Sequence, residues 1–494
     1  MSKLKDILDQ ILLVEEELLE NKEIDNGHFT FWPLVRLEMS WNLQHGIIPK
    51  QAFSSSYRDH SARLLGVRES GMPSYPNASI LILSQLSNFK WRTKEDRLYD
   101  VRFGEIIRHL NENNHDFGYF HIHNDEIASV GRGLENDPIS IEFTLENNES
   151  DTNRFPHFDE IWETLEFMRD IANKLLNKEY VGLSMVKTFF SHINAWSLLL
   201  DSSRPKFVFL DNFYNPVHMA LVYASRCKGI KVIDVAHGTQ GPHHGIYSHW
   251  INPQLSDSPI LPDRFWVWGE EAQSDIEDNS CLTELRGEKI TVLGGNPSLK
   301  KFREITPDSL YQNYEEEFEK CLPRKSSSSS NGHIGLVTCG HDWKLIPEFV
   351  FDCLGEMNDW QWLFRLHPYP SDFTAEKANA DLIAKGLYNC MAMSPHSLPM
   401  PFLLSKVDLH LTGWSTTCRE ASIFEVPTIF FDLRANSFYQ KEISEGHFVL
   451  ALSKKDLLPK IETSLTRKVQ PHGQNFIETS SKYTDEAMLD ILRN

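Results

Sequence analysis

The sequence predicts an α/β protein made of two Rossmann-like domains that face each other across a cleft. Three observations carry this. The chain has 494 residues, too many for one core when domains run to roughly 100–200 residues. Compact apolar runs alternate with helical stretches in two separate series, the pattern of parallel βα units. Between the series lies Arg324-Lys325 followed by Ser326–Ser330, a stretch with nothing to bury and the composition of a linker.

The elements follow in order. At the N-terminus Leu4, Ile7, Leu8, Ile11 and Leu12 recur at helical spacing between acids, which reads as an amphipathic helix and not a signal peptide. Its apolar stripe is expected to lie on protein, such as a partner subunit, because Glu15, Glu16 and Glu17 suit a bilayer edge poorly. Ser79–Leu83 reads as a buried strand, and the polar stretch Glu146–Asn153 as a loop. From Lys206 the pattern is regular: strand Phe207–Leu210, helix Pro216–Ala224, a stop at Gly229 and strand Ile230–Val235 form one βαβ unit. Phe265–Gly269 and Ile290–Gly294 continue it. Past the serines come strand Ile334–Thr338, a helix over Ile346–Met357, strand Trp362–Leu366, strand Leu409–Thr412, a helix from Cys418 to Glu425 and strand Thr428–Phe431. Phe476–Leu492 reads as a closing helix. The expected division is an N-terminal domain over 1–325, a linker over 326–332, a second Rossmann-like domain over 333–475 and the closing helix over 476–494.

Composition narrows the function. A formal charge of -20 repels phosphate backbones and anionic headgroups, so nucleic acid is not an expected partner. The seven cysteines are scattered and never fall in a C-x-x-C pair, so no disulfide framework, metal or cofactor is expected and a reducing cytoplasm fits. No apolar run reaches the roughly 18–20 residues needed to span a bilayer, leaving peripheral association with an inner-membrane assembly complex as the route to any membrane.

Ligands of open parallel sheets bind beyond the carboxyl ends of the strands. Asp211 and His237 follow two such ends, and each is a candidate general base, His237 because imidazole titrates near neutrality. His243 and His244 lie nearby. Asp234 is a rival, although a carboxylate at a strand end often only caps the next turn. In the second series Arg365 and His367 fall on one face at a strand end and together suit a phosphate; read blandly, Arg365 is an ion-pair partner. Gly413, Ser415, Thr416 and Thr417 open a helix, where backbone N–H groups and hydroxyls favour an anion, or simply cap it. Glu420 is placed to hold ribose hydroxyls, or to act as a capping acid.

With these residues in hand, His237-Gly238, Arg365-Leu366-His367-Pro368 and Gly413-Trp414-Ser415-Thr416-Thr417 with Glu420 before Val426-Pro427 resemble bacterial surface-polysaccharide glycosyltransferases of the GT-B fold, chiefly Kdo-transferase-like and sialyltransferase-like enzymes. The resemblance covers Lys206 to Leu452. It implies a metal-independent transfer of Kdo or a related nonulosonic acid from a CMP-linked donor to a saccharide or lipid-linked acceptor, in capsule or lipopolysaccharide synthesis. His367, Ser415, Thr416 and Thr417 would then hold the donor. One departure is that Glu270-Glu271 is followed by alanine where the sialyl enzymes keep an acidic-acidic-glycine triplet, which moves the base to His237 or Asp211. The His-Gly-Thr triplet also resembles polymerases that transfer glycerol or ribitol phosphate from CDP-linked donors. Hydrolysing sugar-nucleotide 2-epimerases are a more distant likeness. A nucleotide-sugar-binding protein without catalysis is the non-enzyme alternative.

Overall fold

A computed structural model describes residues 3–20, 29–45, 60–65, 78–85, 89–92, 98–122, 139–147, 157–238, 244–250, 258–303, 314–323, 332–340, 343–367, 374–394, 397–466 and 476–493. The serines of the expected linker and His243 lie outside the described residues.

Helices α1 (Lys3–Glu20) and α2 (Trp32–His45) open the chain. Strands β1 (His60–Leu65), β2 (Ile80–Gln85), β3 (Phe89–Arg92) and β4 (Leu98–Asp100) precede α3 (Gly104–Glu112). Then come β5 (Phe117–Ile122), β6 (Ile139–Asn147), α4 (Phe158–Leu175), α5 (Ser184–Ser203), β7 (Phe207–Asp211), α6 (Pro216–Arg226), β8 (Lys231–Val235), β9 (Arg264–Val267), α7 (Glu270–Glu277) and β10 (Thr291–Leu293). After α8 (Glu315–Cys321) the second series runs β11 (His333–Thr338), α9 (Glu348–Glu356), β12 (Trp360–Arg365), α10 (Ala375–Ala384), β13 (Cys390–Met393), α11 (Met400–Leu404), β14 (Leu409–Thr412) and α12 (Thr417–Ile423). It ends with β15 (Thr428–Phe430), α13 (Gln440–Ser444), β16 (Val449–Leu450), α14 (Lys454–Thr466) and α15 (Ser481–Arg493).

The first sheet has the order β1-β6-β5-β2-β7-β8-β9-β10, and the second β13-β12-β11-β14-β15-β16. Only β1 runs antiparallel in the first sheet, and β3–β4 form a separate antiparallel pair. Counted from β11, the second sheet reads 3-2-1-4-5-6, the doubly wound order whose direction reverses between its first and fourth strands. The first sheet repeats that order from β2 onward, with its reversal between β2 and β7. This is the GT-B-like arrangement of two Rossmann-like domains facing across a cleft. The expected βαβ unit is β7-α6-β8, paired in parallel with Phe209 opposite Ile233. The expected loop at Glu146 gives way to strand, because β6 continues to Asn147 in register with His60 of β1.

The N-terminal stripe finds its partner within the same chain. Ile7, Ile11, Val14 and Leu18 join a core that includes Trp32, Trp196 and Trp250, so neither a partner subunit nor a bilayer is needed to cover them. Glu15, read as part of an acidic face, is buried with Arg36, its Oε2 accepting from Arg36 Nη1 at 3.0 Å and from Trp32 Nε1 at 2.8 Å. Arg36 in turn donates to the carbonyls of Gly245 and Ser248 at 2.7 and 3.1 Å and lies 4.1 Å over Trp250. A buried cation is tolerated because a carboxylate and several carbonyls satisfy it.

A second core runs without interruption from Ile82, Phe209 and Trp266 of the first sheet to Leu336 and Phe430 of the second and Phe402 of α11. The last helix, α15, crosses back to the first domain. Thr484 Oγ1 donates to the Gly294 carbonyl at 3.1 Å, and the segment before it pairs through Asn296 N with Glu478 O at 2.7 Å. Gly295 sits at φ +71°, with an added Cβ only 2.5 Å from the Glu478 carbonyl, so a side chain there would force the segment off. No helix among the described residues is long and apolar enough to cross a membrane.

Candidate active site in the interdomain cleft

β7 delivers Asp211 to its carboxyl end, where the residue is 2% exposed. Asn212 follows in the left-handed region at φ 57°, a conformation asparagine tolerates better than most. That turn lets Phe213 N reach Asp234 Oδ1 at 3.0 Å, while Tyr247 Oη donates to Asp234 Oδ2 at 2.8 Å. Both oxygens of Asp234 are thus engaged, and burial pushes its carboxyl up to about 7. Asp234 braces two loops, the bland reading of a strand-end carboxylate. His218 donates from Nδ1 to the Asp211 carbonyl at 2.9 Å and is pushed down to about 4 by burial; it serves as a neutral strut.

His237 is half-buried just past β8, and its Nε2 shares a hydrogen bond of 3.0 Å with Tyr214 Oη. Its ring packs 5.6 Å from Tyr214 and 6.5 Å from Tyr247. His244 lies 5.0 Å from Tyr247, and burial pushes it down to about 4, so it stays neutral at physiological pH.

Arg102 was not anticipated from the sequence. Asp100 accepts from Arg102 N and Phe103 N at 2.8 and 3.0 Å through one oxygen, and from Ser84 Oγ and Tyr119 Oη at 2.6 and 2.7 Å through the other. The turn so fixed sends the Arg102 guanidinium into the cleft, 5.2 Å over the Trp268 ring. Its Nε is buried with no hydrogen-bond partner among the described residues. Burial lowers its affinity for a proton, and Asp211, then Glu420, are the carboxylates that oppose this most. One guanidinium therefore feels a carboxylate from each domain.

The cavity it enters has a volume of about 480 Å³ and is lined by Arg102, Trp268 and Asn296 from the first domain and by Arg365, Leu398 and Glu420 from the second. That volume suits a small organic ligand, for which sites span about 300–1,000 Å³. Arg365 ends β12, donates from Nη1 to the Leu398 carbonyl, and is pushed down to about 10 by burial, with Glu420 opposing. A desolvated cation of this kind is kept charged in the cavity at some expense to the fold.

Of the residues picked from the sequence, the structure brings Arg365 and Glu420 to the cavity, whereas Asp211 and His237 are not among its lining residues and Asp211 acts on Arg102 through its charge. His367 lies two residues past the end of β12 and is not among the lining residues. Gly413, Ser415, Thr416 and Thr417 do not line it either. Ser415 Oγ and Thr417 Oγ1 bond to each other at 2.9 Å, and Ser415 Oγ accepts from Thr417 N at 3.3 Å, a local turn at the start of α12.

No protein-family model matches the sequence, and no curated protein matches it significantly. Solved structures do resemble the fold. The UDP-GlcNAc 2-epimerase of Methanocaldococcus jannaschii is similar at 15% identity and TM-score 0.51, covering 84% of this chain and 99% of its own. The UDP-GlcNAc 2-epimerase of Neisseria meningitidis bound to UDP-GlcNAc is similar at 12% identity and TM-score 0.52, covering 84% of this chain and 100% of its own. At these identities the likeness is one of architecture.

Proposed function

We propose that the chain is a glycosyltransferase that takes a sugar from a nucleotide-activated donor bound in the interdomain cavity. The observation that carries this is the meeting of Arg102 and Arg365, one guanidinium from each domain, in a single cavity beside Glu420. In this reading the two cations hold the donor phosphate, Glu420 accepts from ribose hydroxyls, and 333–475 is the nucleotide side. Asp211 or His237 on the acceptor side takes the proton of the acceptor hydroxyl as its oxygen attacks the anomeric carbon. The bond to phosphate breaks and the leaving phosphate keeps the electron pair, stabilised by the guanidiniums, an electrostatic role for which losing one donor costs on the order of 100-fold or more in rate. Were configuration retained, Asp211 would instead be the nucleophile.

The sequence resemblance points to a CMP-linked Kdo-type sugar and a surface-polysaccharide acceptor. A second reading is favoured by the number of cations: two guanidiniums match a diphosphate better than a monophosphate, as in a CDP-linked polyol phosphate or a UDP-sugar. A thermal-shift panel of CMP, CDP, UDP and GDP with the full chain separates these. A ligand at about 100 times its Kd adds about 2.7 kcal/mol. A shift by CMP supports the first reading and a shift by diphosphates alone the second; no shift by any of the four overturns both.

A further inference from the structure

The helix that carries Glu420 into the cavity also carries Arg419, which points the other way. Arg419 is 3% exposed, and its Nη2 donates to Glu271 Oε1 of α7 at 3.0 Å and to Glu442 Oε1 of α13 at 3.3 Å. Glu271 belongs to the first domain and Glu442 to the second, so one nitrogen joins the two across the cleft. The guanidinium is enclosed by the Tyr439 ring at 5.7 Å and the Phe476 ring at 5.3 Å. Behind it Asp275 of α7 is a third carboxyl, and the buried atoms Glu271 Oε2 and Asp275 Oδ2 have no hydrogen-bond partner among the described residues. Three carboxyls thus surround one guanidinium. Carboxylates crowded this closely cannot all ionise without strong repulsion.

We propose that Arg419 is a positioning residue for the cleft: it latches the helix bearing Glu420 to the first domain, and the latch holds only while the crowded carboxyls of Glu271 and Asp275 retain a proton between them. This goes beyond the transferase reading and does not depend on which nucleotide binds. Burial first, then the neighbouring carboxylates, push Glu271 up to about 8 and Asp275 up to about 6, with Arg419 opposing. The groups facing the cluster are Asp278 on the first-domain side, and Cys418, Tyr439 and Lys441 on the other. For carboxyls raised in the closed form, the contribution to closure is full below their ordinary values of 4.5 and 3.8, and it is lost as pH rises through about 6 for Asp275 and about 8 for Glu271. Closure is therefore favoured on the acid side and loosened in alkali. Because Arg419 and Glu420 are adjacent, loosening moves a cavity wall.

The test is hydrogen–deuterium exchange of the full, ligand-free chain at pH 6 and pH 9, corrected for intrinsic exchange, following peptides over 270–277 and 417–423. Wild type is expected to lose at least about tenfold in protection of both helices at the higher pH. Glu271→Gln, which keeps the neutral form, should hold its protection at pH 9. Arg419→Met should lose it at both pH values while peptides from β7 and β12 stay protected; if that variant unfolds altogether, the Glu271→Gln comparison decides alone. A Glu271→Gln protein that loosens with pH as wild type does, or an Arg419→Met protein as protected as wild type, overturns the latch.

Discussion

Replacing Arg365 by methionine should make the empty protein more stable and leave it unable to hold the nucleotide proposed for the cleft. The guanidinium is moved from 12.5 to about 10 by burial, and at about 1.4 kcal/mol per tenfold this amounts to roughly 3 kcal/mol against the charged form in the fold. The sign is that of a cation held below its ordinary value: the penalty is present at every pH below about 10 and fades only as pH climbs toward 12.5. Methionine keeps much of the apolar stem and has no charge to desolvate. It forfeits the bond to the Leu398 carbonyl, about 1.5–3 kcal/mol for a charged donor, part of which water in the cavity restores. The net is a gain of about 1–2 kcal/mol, or roughly 2–6 °C in midpoint. Differential scanning of Arg365→Met with and without nucleotide reads both effects in one series. A variant that melts below wild type while keeping the full nucleotide shift would refute the argument, since Arg365 would then be a structural ion-pair partner and no anion site.

Other substitutions probe separate parts of the molecule. Arg102→Met should lower nucleotide affinity as Arg365→Met does, whereas Asp211→Asn and His237→Ala should leave binding near wild type and cut transfer by about 10²-fold or more, read as turnover alongside thermal shift. Stability should fall as pH rises from about 4 toward about 7 through Asp234, whose carboxyl is raised to about 7; Asp234→Asn should flatten that part of the urea-midpoint profile, and an unchanged profile would remove Asp234 as its source. Deleting residues 1–22 should yield insoluble protein, because it uncovers a core face and strands Arg36, and Glu15→Gln alone should cost about 3–5 kcal/mol by urea titration.

The βα series was legible because parallel strands covered on both faces read as unbroken apolar runs, as in Val208–Leu210 and Trp362–Phe364. The stretch before Lys206 was harder to read. β6, ISIEFTLEN, alternates apolar and polar residues and ends in Glu146-Asn147, which by composition is a loop, and only pairing with β1 extends it. The site followed the same division. Arg365 and Glu420 stand where strand-end logic puts ligand contacts. Arg102 follows a strand of three residues, LYD, too short to register, and its place depends on Asp100, Ser84 and Tyr119 converging from separate elements. The Ser415 and Thr417 hydroxyls, read as anion ligands, stand in a local turn where they bond to each other, a pairing that linear spacing does not show. Arg419 beside Glu420 gave no sign of its role, since its partners Glu271 and Glu442 lie 148 and 23 positions away on other elements.

The return of α15 to the first domain sets a timetable for the ribosome. Thr484 and the Gly294 carbonyl it caps are 190 positions apart, and at about 5–20 residues per second that interval is roughly 10–40 s of synthesis. For that time β10 and the neighbouring face of α3 emerge without the helix that covers them, and the second sheet is completed while the first still waits. The nascent first domain thus presents a vacant apolar seat to every other chain on the same message, including the α15 of a copy made just ahead of it. Slow decoding before Phe476 would lengthen that exposure, and faster decoding would shorten it, so the yield of folded protein should depend on codon choice in the second half of the message more than in the first.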